Sequence, residues 1–291
     1  MKALQALLSL AFEEDEGSGD ITSEATLDPR QRSQAVLLCK EVGVLAGVPA
    51  LEAIFRYRGL APRVEWQVQE GAGIHPGEIL ARLEGETKGL LLCERIALNF
   101  LQRFCGIATV TRDFVKALGN SSTRILDTRK TLPGYRALDK YAVAVGGGNN
   151  HRQGLFDQIL IKDNHIAACG SARAAVGKAV IHQGRSRPIE VEVRNLEELE
   201  SLLDTPVDMI LLDNMSDVEL RKAVKRVKAV APGIRTEASG DMNLARVRRL
   251  RNAGLDFISV GSLTHSVKAL DLSLKFENFG IFPEEKRYAR R

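Results

Sequence analysis

Basic side chains are concentrated in three closely spaced segments of the chain, Ile125–Gly134, Gly146–Arg152 and Ile161–His165, the first two of which contain glycine. Lysine and arginine normally spread over a solvated surface, whereas here they follow directly on short apolar runs. An arginine guanidinium can hold a carboxylate or a phosphate through two parallel hydrogen bonds. Cations gathered in this way predict a pocket for a small, multiply charged anion. The cations are Arg129, Lys130, His151, Arg152, Lys162 and His165.

Three consecutive glycines, Gly146–Gly148, precede one of the arginines. Glycine lets a backbone adopt positive φ and approach a ligand closely, so the run supports a binding role for Arg129 and Arg152. His151 lies beside Arg152, but a lone histidine is more often structural than ligand-binding. The spacing alone therefore leaves its role open.

The matching acids occur later and singly, at the ends of other apolar runs, as Glu192 and Asp213. Carboxylate oxygens are preferred ligands of Mg²⁺, and an anion clamp followed by metal-binding carboxylates suits the handling of a phosphorylated sugar. The alternative is that both acids are buried partners of the cations. Three further acids, Asp139, Asp157 and Asp163, are predicted to be surface or helix-capping residues.

Two short polar turns, Ser239-Gly240 and Gly261-Ser262, close the last two apolar runs of the chain. In barrels of alternating strands and helices, the loops after the last strands and the helix N-terminus behind them commonly bind phosphate. Each turn taken alone is also compatible with an ordinary strand-to-helix connection. Ser262, with Thr264 and His265, is predicted to open the helix that follows.

The elements that must position these residues begin at about residue 123, where short apolar strands start to alternate with helical stretches. Such repeated units predict a parallel sheet with helices outside, and strands without an evident topological switch favour a barrel. Polar or glycine residues end nearly every strand, at the edge where such barrels carry active sites. Six clear strands, with Tyr141–Val145 as an ambiguous further one, predict an incomplete barrel. The six are Arg124–Leu126, Gln158–Ile161, Ile189–Val193, Met209–Leu212, Thr236–Ala238 and Phe257–Val260.

Helices are predicted between these strands, and their ends carry recognisable signals. Ser216 followed by Glu219 forms a capping box, and Gly254 is a helix-stop residue. The predicted helices are Ser171–Gln183, Asn195–Leu203, Ser216–Ala231 and Asn243–Ala253.

Up to about residue 85 the chain has the pattern of a separate α+β module. Strands are predicted at Gln34–Lys40, Arg63–Gln69 and Glu78–Leu83, and a short helix with proline in its first turn at Pro49–Tyr57. From Leu90 to Leu118 apolar residues recur at helical spacing, and Gly106 is predicted to divide this domain-bridging stretch into two helices. By spacing, Arg95 in this stretch is a solvated helix cation.

Composition and charge are those of an ordinary globular protein of 291 residues, with 44% hydrophobic residues and a formal net charge of +4. This mild basicity suits anionic substrates, but only 5% of residues are aromatic and no basic run is interleaved with them, which argues against nucleic-acid binding. No apolar run approaches the length of a membrane span. The cysteines form no CxxC pair, so we expect buried, reduced thiols in a cytoplasmic protein. They are Cys39, Cys93, Cys105 and Cys169.

Segments spread over nearly the whole chain, in order, resemble the quinolinate phosphoribosyltransferase family, the carboxylating nicotinate-nucleotide pyrophosphorylases of NAD synthesis. They are Gly19–Thr22, Glu94–Gln102, Asp127–Thr131, Lys140–Val143, Asn150–Arg152, Ile161–His165, Leu212–Asn214, Glu237–Gly240 and Thr264–Ser266. The resemblance implies an N-terminal α/β sandwich with the bridging helix, residues 1–108, joined by the C-terminal segment 267–291. It further implies an open, TIM-like α/β barrel of about seven strands, residues 109–266.

The resemblance also implies substrates and roles for the residues of the acceptor side. Quinolinate and phosphoribosyl pyrophosphate would be the substrates, with Arg129, Arg152, His151 and Lys162 on the quinolinate carboxylates. Arg95 would complete the site of the partner subunit in a homodimer or an assembly of dimers. No contact with nucleic acid or membrane is implied.

On the donor side, the resemblance implies that Glu192 and Asp213 bind the ribose hydroxyls and Mg²⁺ and that Lys130 faces the pyrophosphate. Lys130, Lys162, Glu192 and Asp213 are then the expected catalytic residues. The phosphate would lie on Ser239, Gly240, Gly261 and Ser262, and the remaining substrate contacts would be Thr128, Asp241 and Val260.

Two positions depart from the family pattern. Asp241 stands where a second glycine is usual, and an acid beside a phosphate loop repels the ligand unless it points away or meets Mg²⁺. Ser262 stands where alanine is common and adds a hydroxyl donor.

Two other functions stay open. One is that of a paralogous phosphoribosyltransferase-like protein of the molybdenum-transport type, against which the full set of cations argues. The other is a non-catalytic sensor of a phosphorylated metabolite, against which the presence of both Glu192 and Asp213 argues.

Overall fold

A computed structural model of the chain describes residues 2–183 and 186–280. It divides the chain into two compact units. The first contains the residues up to Thr109, together with Ala137–Gly146 and the segment from Val267, and the second contains Val110–Arg136 and Gly147–Ser266. Residues 281–291, which belong to the C-terminal segment predicted to rejoin the N-terminal domain, lie outside the described residues.

The N-terminal part of the chain forms an antiparallel sheet with helices. Strand β1 pairs with β5, β5 pairs with β3, and β2 and β4 form a separate short ladder. The elements are α1 (Lys2–Glu16), α2 (Ile21–Thr26), β1 (Arg32–Cys39), β2 (Gly43–Val44), α3 (Val48–Tyr57), β3 (Arg63–Trp66), β4 (Gly73–Ile74), β5 (Ile79–Glu86) and α4 (Thr87–Leu118).

Helix α3 shows how local sequence begins an element of this unit. Gly47 has a φ of +114°, which glycine adopts without strain, and Pro49 occupies the first turn. The carboxylate of Glu70 accepts hydrogen bonds from the N–H groups of Gly47 (3.0 Å) and Val48 (3.0 Å), so the open end of the helix is satisfied. The predicted helix is confirmed.

Helix α4 is continuous from Thr87 to Leu118, so the predicted break at Gly106 is wrong. A Cβ at Gly106 would overlap the backbone carbonyl of Lys268, within the same unit. The glycine therefore permits close approach of another segment and does not end the helix. Cooperative hydrogen bonding and the packing of the apolar stripe outweigh the low helix propensity of one glycine.

The second half of the chain forms a six-stranded parallel sheet in the order β6-β11-β10-β9-β8-β7, within the described residues. The elements are β6 (Arg124–Leu126), α5 (Arg136–Val145), β7 (Ile159–Ile161), α6 (Asp163–Cys169), α7 (Ala172–Gln183), β8 (Ile189–Val193), α8 (Leu196–Glu200), β9 (Met209–Asp213), α9 (Asp217–Val230), β10 (Arg235–Ser239), α10 (Leu244–Leu250), β11 (Phe257–Ser259), α11 (Ser262–His265) and β12 (Leu272–Gly280). Strand β12 pairs antiparallel with β1 and completes the sheet of the first unit.

The parallel sheet agrees with the predicted open α/β barrel. The six predicted strands are all present, and Asn149 adds an isolated parallel bridge to Leu126 on the outer side of β6. Every residue of β8 is buried, as expected for a strand covered on both faces. The predicted capping box of Ser216 and Glu219 also begins helix α9.

Two predictions around residue 140 are wrong. Tyr141–Val145 is part of helix α5, whose buried residues Asp139, Lys140, Ala142 and Val143 recur at helical spacing. The apolar run is too short for its period to be read from sequence. Asp139 is fully buried and binds Arg103 through two hydrogen bonds of 2.9 and 2.7 Å, so it is neither a surface nor a capping residue.

Asp157 and Asp163 conform to the prediction. The carboxylate of Asp157 accepts the N–H groups of Gln153 and Gly154, and exposed Asp163 pairs with Arg194.

All four cysteines are unpaired thiols, of which Cys39, Cys93 and Cys105 are buried and Cys169 is partly exposed. Burial raises the pKa of Cys39 and raises the pKa values of Cys93 and Cys105 to about 12. Within the described residues, no helix combines the length and apolar character needed to cross a membrane.

Candidate active site

A cavity of about 550 Å³ opens at the carboxyl ends of the parallel strands and is lined by residues of the second unit alone. Its volume suits a drug-sized ligand. The lining consists of Thr128, Arg129, Lys130, His151, Arg152, Leu160, Lys162, Glu192, Leu211, Asp213, Asn214, Glu237, Ser239, Gly240, Asp241, Met242, Ser259, Gly261, Ser262 and His265. We call this cavity the basin.

Two arginines on neighbouring loops give one side of the basin a concentrated positive charge. Burial lowers the pKa of Arg152, and the nearby charge of Arg129 lowers it further. The buried Nε of Arg129 has no hydrogen-bond partner among the described residues. Two cations held against mutual repulsion, with one donor unsatisfied, favour an anion between them.

Arg136 ties together the loops that carry these cations. Its guanidinium donates to the backbone oxygens of Gln153 (3.3 Å) and Arg129 (3.4 Å) and to Oγ1 of Thr131 (3.3 Å). Buried Asp127 accepts the backbone N–H of His151 at 2.9 Å. The loop after β6 is thus fixed to the loop that carries His151 and Arg152.

His151 forms a hydrogen-bonded cluster with two buried acids, Glu190 and Glu237, for which the sequence predicted no role. Its Nε2 lies 3.2 Å from Oε2 of Glu190 and 3.4 Å from Oε2 of Glu237, and both acids are fully buried. Gln158 donates to Glu190 at 2.8 Å, and the Ser259 hydroxyl donates to Glu237.

Burial and mutual hydrogen bonding shift the pKa values of Glu190 and His151. Burial raises the pKa of Glu190 to about 7, and the charge of Glu237 adds to the effect. Burial lowers the pKa of His151, but the hydrogen bonds to both acids outweigh it and raise the pKa. The backbone N–H of Arg152 donates to Nδ1 of the ring at 2.6 Å. By residue type the trio could also hold a metal ion.

The acids predicted from sequence lie on the basin surface. Glu192 is nearly buried, and its Oε2 lies 2.9 Å from Nζ of Lys162, which directly follows β7. Asp213 ends β9, and its Oδ2 accepts a hydrogen bond from the Asn214 amide at 2.8 Å. Carboxylate oxygens facing an open cavity are a donor set that fits Mg²⁺.

The polar turns after β10 and β11 form the third part of the lining. Gly240 has a φ of +96°, and a Cβ there would overlap the side chain of Asn214, so only glycine fits. Gly261 approaches the Lys130 side chain, and the Thr264 hydroxyl donates to the Lys130 backbone oxygen at 2.9 Å. These turns therefore place a lysine beside glycine-rich backbone.

The structure brings together nearly all of the residues predicted from sequence. The exceptions are Val260, which is buried and donates its N–H to Leu126 at 2.9 Å, and Arg95, which lies at an exposed position of α4 in the other unit. Sequence reasoning missed Glu190 and Glu237 as site residues. Each lies two positions before a predicted residue on the same strand, Glu192 or Ser239, and residues so spaced face the same side. An acid at an inward position of an apolar strand was the available signal.

Comparison with known protein families matches residues 20–105 to the N-terminal domain of quinolinate phosphoribosyl transferase and residues 107–275 to its C-terminal domain. A probable nicotinate-nucleotide pyrophosphorylase (carboxylating) from Bacillus subtilis is 42% identical over 271 residues, covering 93% of this chain and 92% of the relative. Quinolinate phosphoribosyltransferase (decarboxylating) 2b, mitochondrial, from Nicotiana tabacum is 40% identical over 294 residues, covering 94% of this chain and 82% of the relative.

Solved structures also align with this chain over nearly its whole length. The crystal structure of NadC from Streptococcus pyogenes aligns with a TM-score of 0.88 at 38% identity, covering 94% of this chain and 96% of that one. The nicotinate-nucleotide pyrophosphorylase from Francisella tularensis aligns with a TM-score of 0.87 at 34% identity, covering 95% and 96%.

Proposed function

The chain belongs to the quinolinate phosphoribosyltransferase family, and on that premise we propose that the basin performs the family's reaction. The ring nitrogen of quinolinate attacks C1 of phosphoribosyl pyrophosphate, and pyrophosphate leaves. The 2-carboxylate then departs as CO₂ and a proton takes its place, which yields nicotinate mononucleotide for NAD synthesis. The convergence of Arg129, Arg152 and Lys162 with Glu192 and Asp213 on one cavity carries the assignment.

The acceptor occupies the cationic side of the basin. Quinolinate brings two carboxylates, and the guanidinium groups of Arg129 and Arg152 offer paired donors for them. Lys162 adds a third cation at the end of β7, and His151 presents an imidazole fixed by Asp127 and Glu190. Binding the dianion relieves the repulsion between the two arginines, so charge and shape select the same ligand.

The phosphoribosyl donor occupies the side formed by the turns after β9, β10 and β11. Ser239, Gly240, Gly261 and Ser262 offer hydroxyl and backbone donors to phosphate, and Lys130 lies beside Gly261 to receive the departing pyrophosphate. Glu192 and Asp213 bind the ribose hydroxyls and hold Mg²⁺. When bound, Mg²⁺ offsets the negative charge of the pyrophosphate group.

Catalysis rests on positioning and electrostatics. Positive charge develops on the ribose as the bond to pyrophosphate lengthens, and the carboxylates of Glu192 and Asp213 stabilise it. No covalent nucleophile is needed, because holding the ring nitrogen in line with C1 supplies the advantage of proximity. The ion pair between Lys162 and Glu192 keeps both side chains oriented at the basin surface.

The proposal extends to the assembly and the location of the chain. Arg95 lies exposed on α4, and we assign it to the acceptor site of a second copy of the chain, so that the active unit is at least a dimer. The free cysteines are consistent with a cytoplasmic setting.

The test is an assay of the purified chain with quinolinate, phosphoribosyl pyrophosphate and Mg²⁺, following CO₂ release and nicotinate mononucleotide. We expect turnover that requires all three components. Tight binding of both substrates without turnover would instead indicate a sensor. Failure to bind quinolinate would indicate a paralogue with another ligand, such as the molybdenum-transport type.

A further inference from the structure

Two loops of the basin contain left-handed backbone positions at residues other than glycine. Among the described residues, the only non-glycine residues with positive φ are Asn214, at +54°, and Asp241, at +43°. Asn214 follows β9, Asp241 follows β10, and both line the basin. Asparagine and aspartate are the residues other than glycine that adopt the left-handed region most readily, so both positions mark sharp turns. The contacts that fix these turns therefore decide how the two loops line the basin.

One side chain outside the basin contacts both loops at once. Arg246 lies on helix α10, and its guanidinium donates to the backbone oxygen of Gly240 at 2.6 Å and to that of Met215 at 2.5 Å. Its Nε donates to Oδ1 of Asp217 at 3.0 Å. The side chain is only 13% exposed, and it does not line the basin. Three acceptors on two segments thus share one planar donor group.

Arg249, one turn further along α10, provides a natural comparison. It donates to Oδ2 of Asp217 at 2.8 Å, so both arginines share the same carboxylate. No hydrogen bond from the Arg249 side chain to a basin loop occurs among the described residues. Its side chain is 59% exposed. Both arginines form an ion pair with Asp217, but only Arg246 also donates to the basin loops.

We propose that Arg246 is a positioning residue that fixes the loops after β9 and β10 in the arrangement that receives the phosphoribosyl donor. The inference rests on the proposed function, because it assigns the donor side of the basin to those loops. Arg246 acts through Gly240 and Met215, which neighbour Asp213, Asn214, Ser239 and Asp241, and touches no substrate itself.

The two loops also contact each other, so the Arg246 side chain affects the positions of both. The N–H of Asn214 donates to the backbone oxygen of Ser239 at 3.1 Å, and Gly240 lies against the Asn214 side chain without room for a Cβ. Loss of the guanidinium leaves two partly buried carbonyls without a donor and frees Asn214 and Asp241 to leave the left-handed region. A shift of about 1 Å at a positioning group is enough to cost on the order of a hundredfold in rate.

The experiment compares Arg246→Gln with Arg249→Gln in the full chain. We expect R246Q to raise KM for phosphoribosyl pyrophosphate about tenfold or more while KM for quinolinate changes less than about twofold. R249Q should leave both constants at the wild-type values. Calorimetric titration with Mg²⁺ and inorganic pyrophosphate, in the absence of acceptor, should show the same loss of affinity for R246Q alone.

The possible outcomes distinguish the proposed function of the chain from the positioning role of Arg246. An inactive wild-type chain refutes the proposed function itself. An active wild type in which R246Q and R249Q have equal constants, or in which R246Q raises both KM values alike, refutes the positioning role. If R246Q does not fold, Arg246→Lys is measured in its place with the same expectation, since a lysine keeps the charge beside Asp217 but cannot serve three acceptors in one plane.

Discussion

His151 is oriented by two groups that lie behind the basin surface. Asp127 accepts its backbone N–H and Glu190 lies against its Nε2, yet neither acid lines the basin. Such supporting residues hold a binding side chain in one rotamer and one tautomer. The acceptor side is thus arranged before any ligand arrives, which reduces the ordering that binding must impose.

We expect the enzyme to use quinolinate and to discriminate strongly against nicotinate. A monocarboxylate would leave part of the charge of Arg129, Arg152 and Lys162 without a partner, and the repulsion between these neighbouring cations would then disfavour its binding. The measurement is kcat/KM for each acceptor under identical conditions. Comparable values for the two acids would contradict the assignment of the cationic side.

Replacing Lys162 or Arg152 by alanine should remove most activity and leave the fold intact. Each loss removes a charged partner of the ligand in a confined site, which costs on the order of 2–5 kcal/mol. The readouts are kcat/KM and the far-ultraviolet circular dichroism spectrum.

Arg194→Ala is the matched control, because this exposed cation pairs with Asp163 and does not line the basin. It should retain near wild-type activity. An unfolded K162A or R152A chain would show that a structural residue had been taken for a ligand contact.

Much of the basin was predictable from single residues, because polar side chains at the ends of apolar strands must meet at one edge of a parallel sheet. Lys162, Glu192 and Asp213 are found there. Glu237 was missed although its inward position in a strand was a signal. Arg246 was not predicted, since an arginine on an outer helix has its significance only through tertiary contacts. The cap of α9 needed no such contacts, which is why it was predicted correctly.

At the scale of elements, α5 differs most from what the sequence indicates. It follows β6 in the chain, yet Ala137–Gly146 belongs to the unit of the antiparallel sheet. Asp139 and Tyr141 anchor it there, through Arg103 and through a short hydrogen bond from Tyr141 to Glu70. Local periodicity identifies a helix, but membership of a unit depends on contacts between residues far apart in sequence.

Breaking the anchor of α5 should destabilise the protein. We expect Asp139→Ala to lower the free energy of unfolding by about 3–5 kcal/mol, because it leaves the Arg103 guanidinium buried without its bidentate partner. Chemical denaturation followed by circular dichroism measures the change.

The control for this anchor is Asp204→Ala, which breaks the exposed pair with Arg173 and should leave the free energy of unfolding nearly unchanged. Equal decreases in the free energy of unfolding for the two variants would mean that the pair of Arg103 and Asp139 contributes no more to stability than the exposed pair.

At the scale of the whole molecule, Arg95 is the residue on which the proposed shared active site depends. It is an exposed cation on α4, and the basin is lined by the other unit alone. Nothing in the spacing of a helix identifies a residue that acts in another copy of the chain. Only the family resemblance assigns it a role, which is to complete the site of a second copy of the chain.

The shared-site proposal predicts complementation between two inactive variants. Arg95→Ala and Lys162→Ala chains, mixed and allowed to exchange subunits, should form hybrid dimers in which one site has both residues intact. Activity should recover to roughly a quarter of wild type if half of the dimers are hybrids and sites act independently. No recovery, with exchange demonstrated by mass spectrometry of differently tagged chains, would show that Arg95 acts within its own chain.

The contrast among the four thiols makes the chain suitable for selective labelling. Alkylation requires the thiolate, which burial suppresses at Cys39, Cys93 and Cys105. Cys169 is partly exposed at the end of α6, the helix that begins beside Lys162. A maleimide dye should therefore add one equivalent per native chain, seen by intact-mass spectrometry and abolished by Cys169→Ser. Several equivalents of dye on the folded chain would contradict this expectation. A single equivalent would provide a fluorescent reporter at a fixed position, one short helix away from the proposed acceptor site.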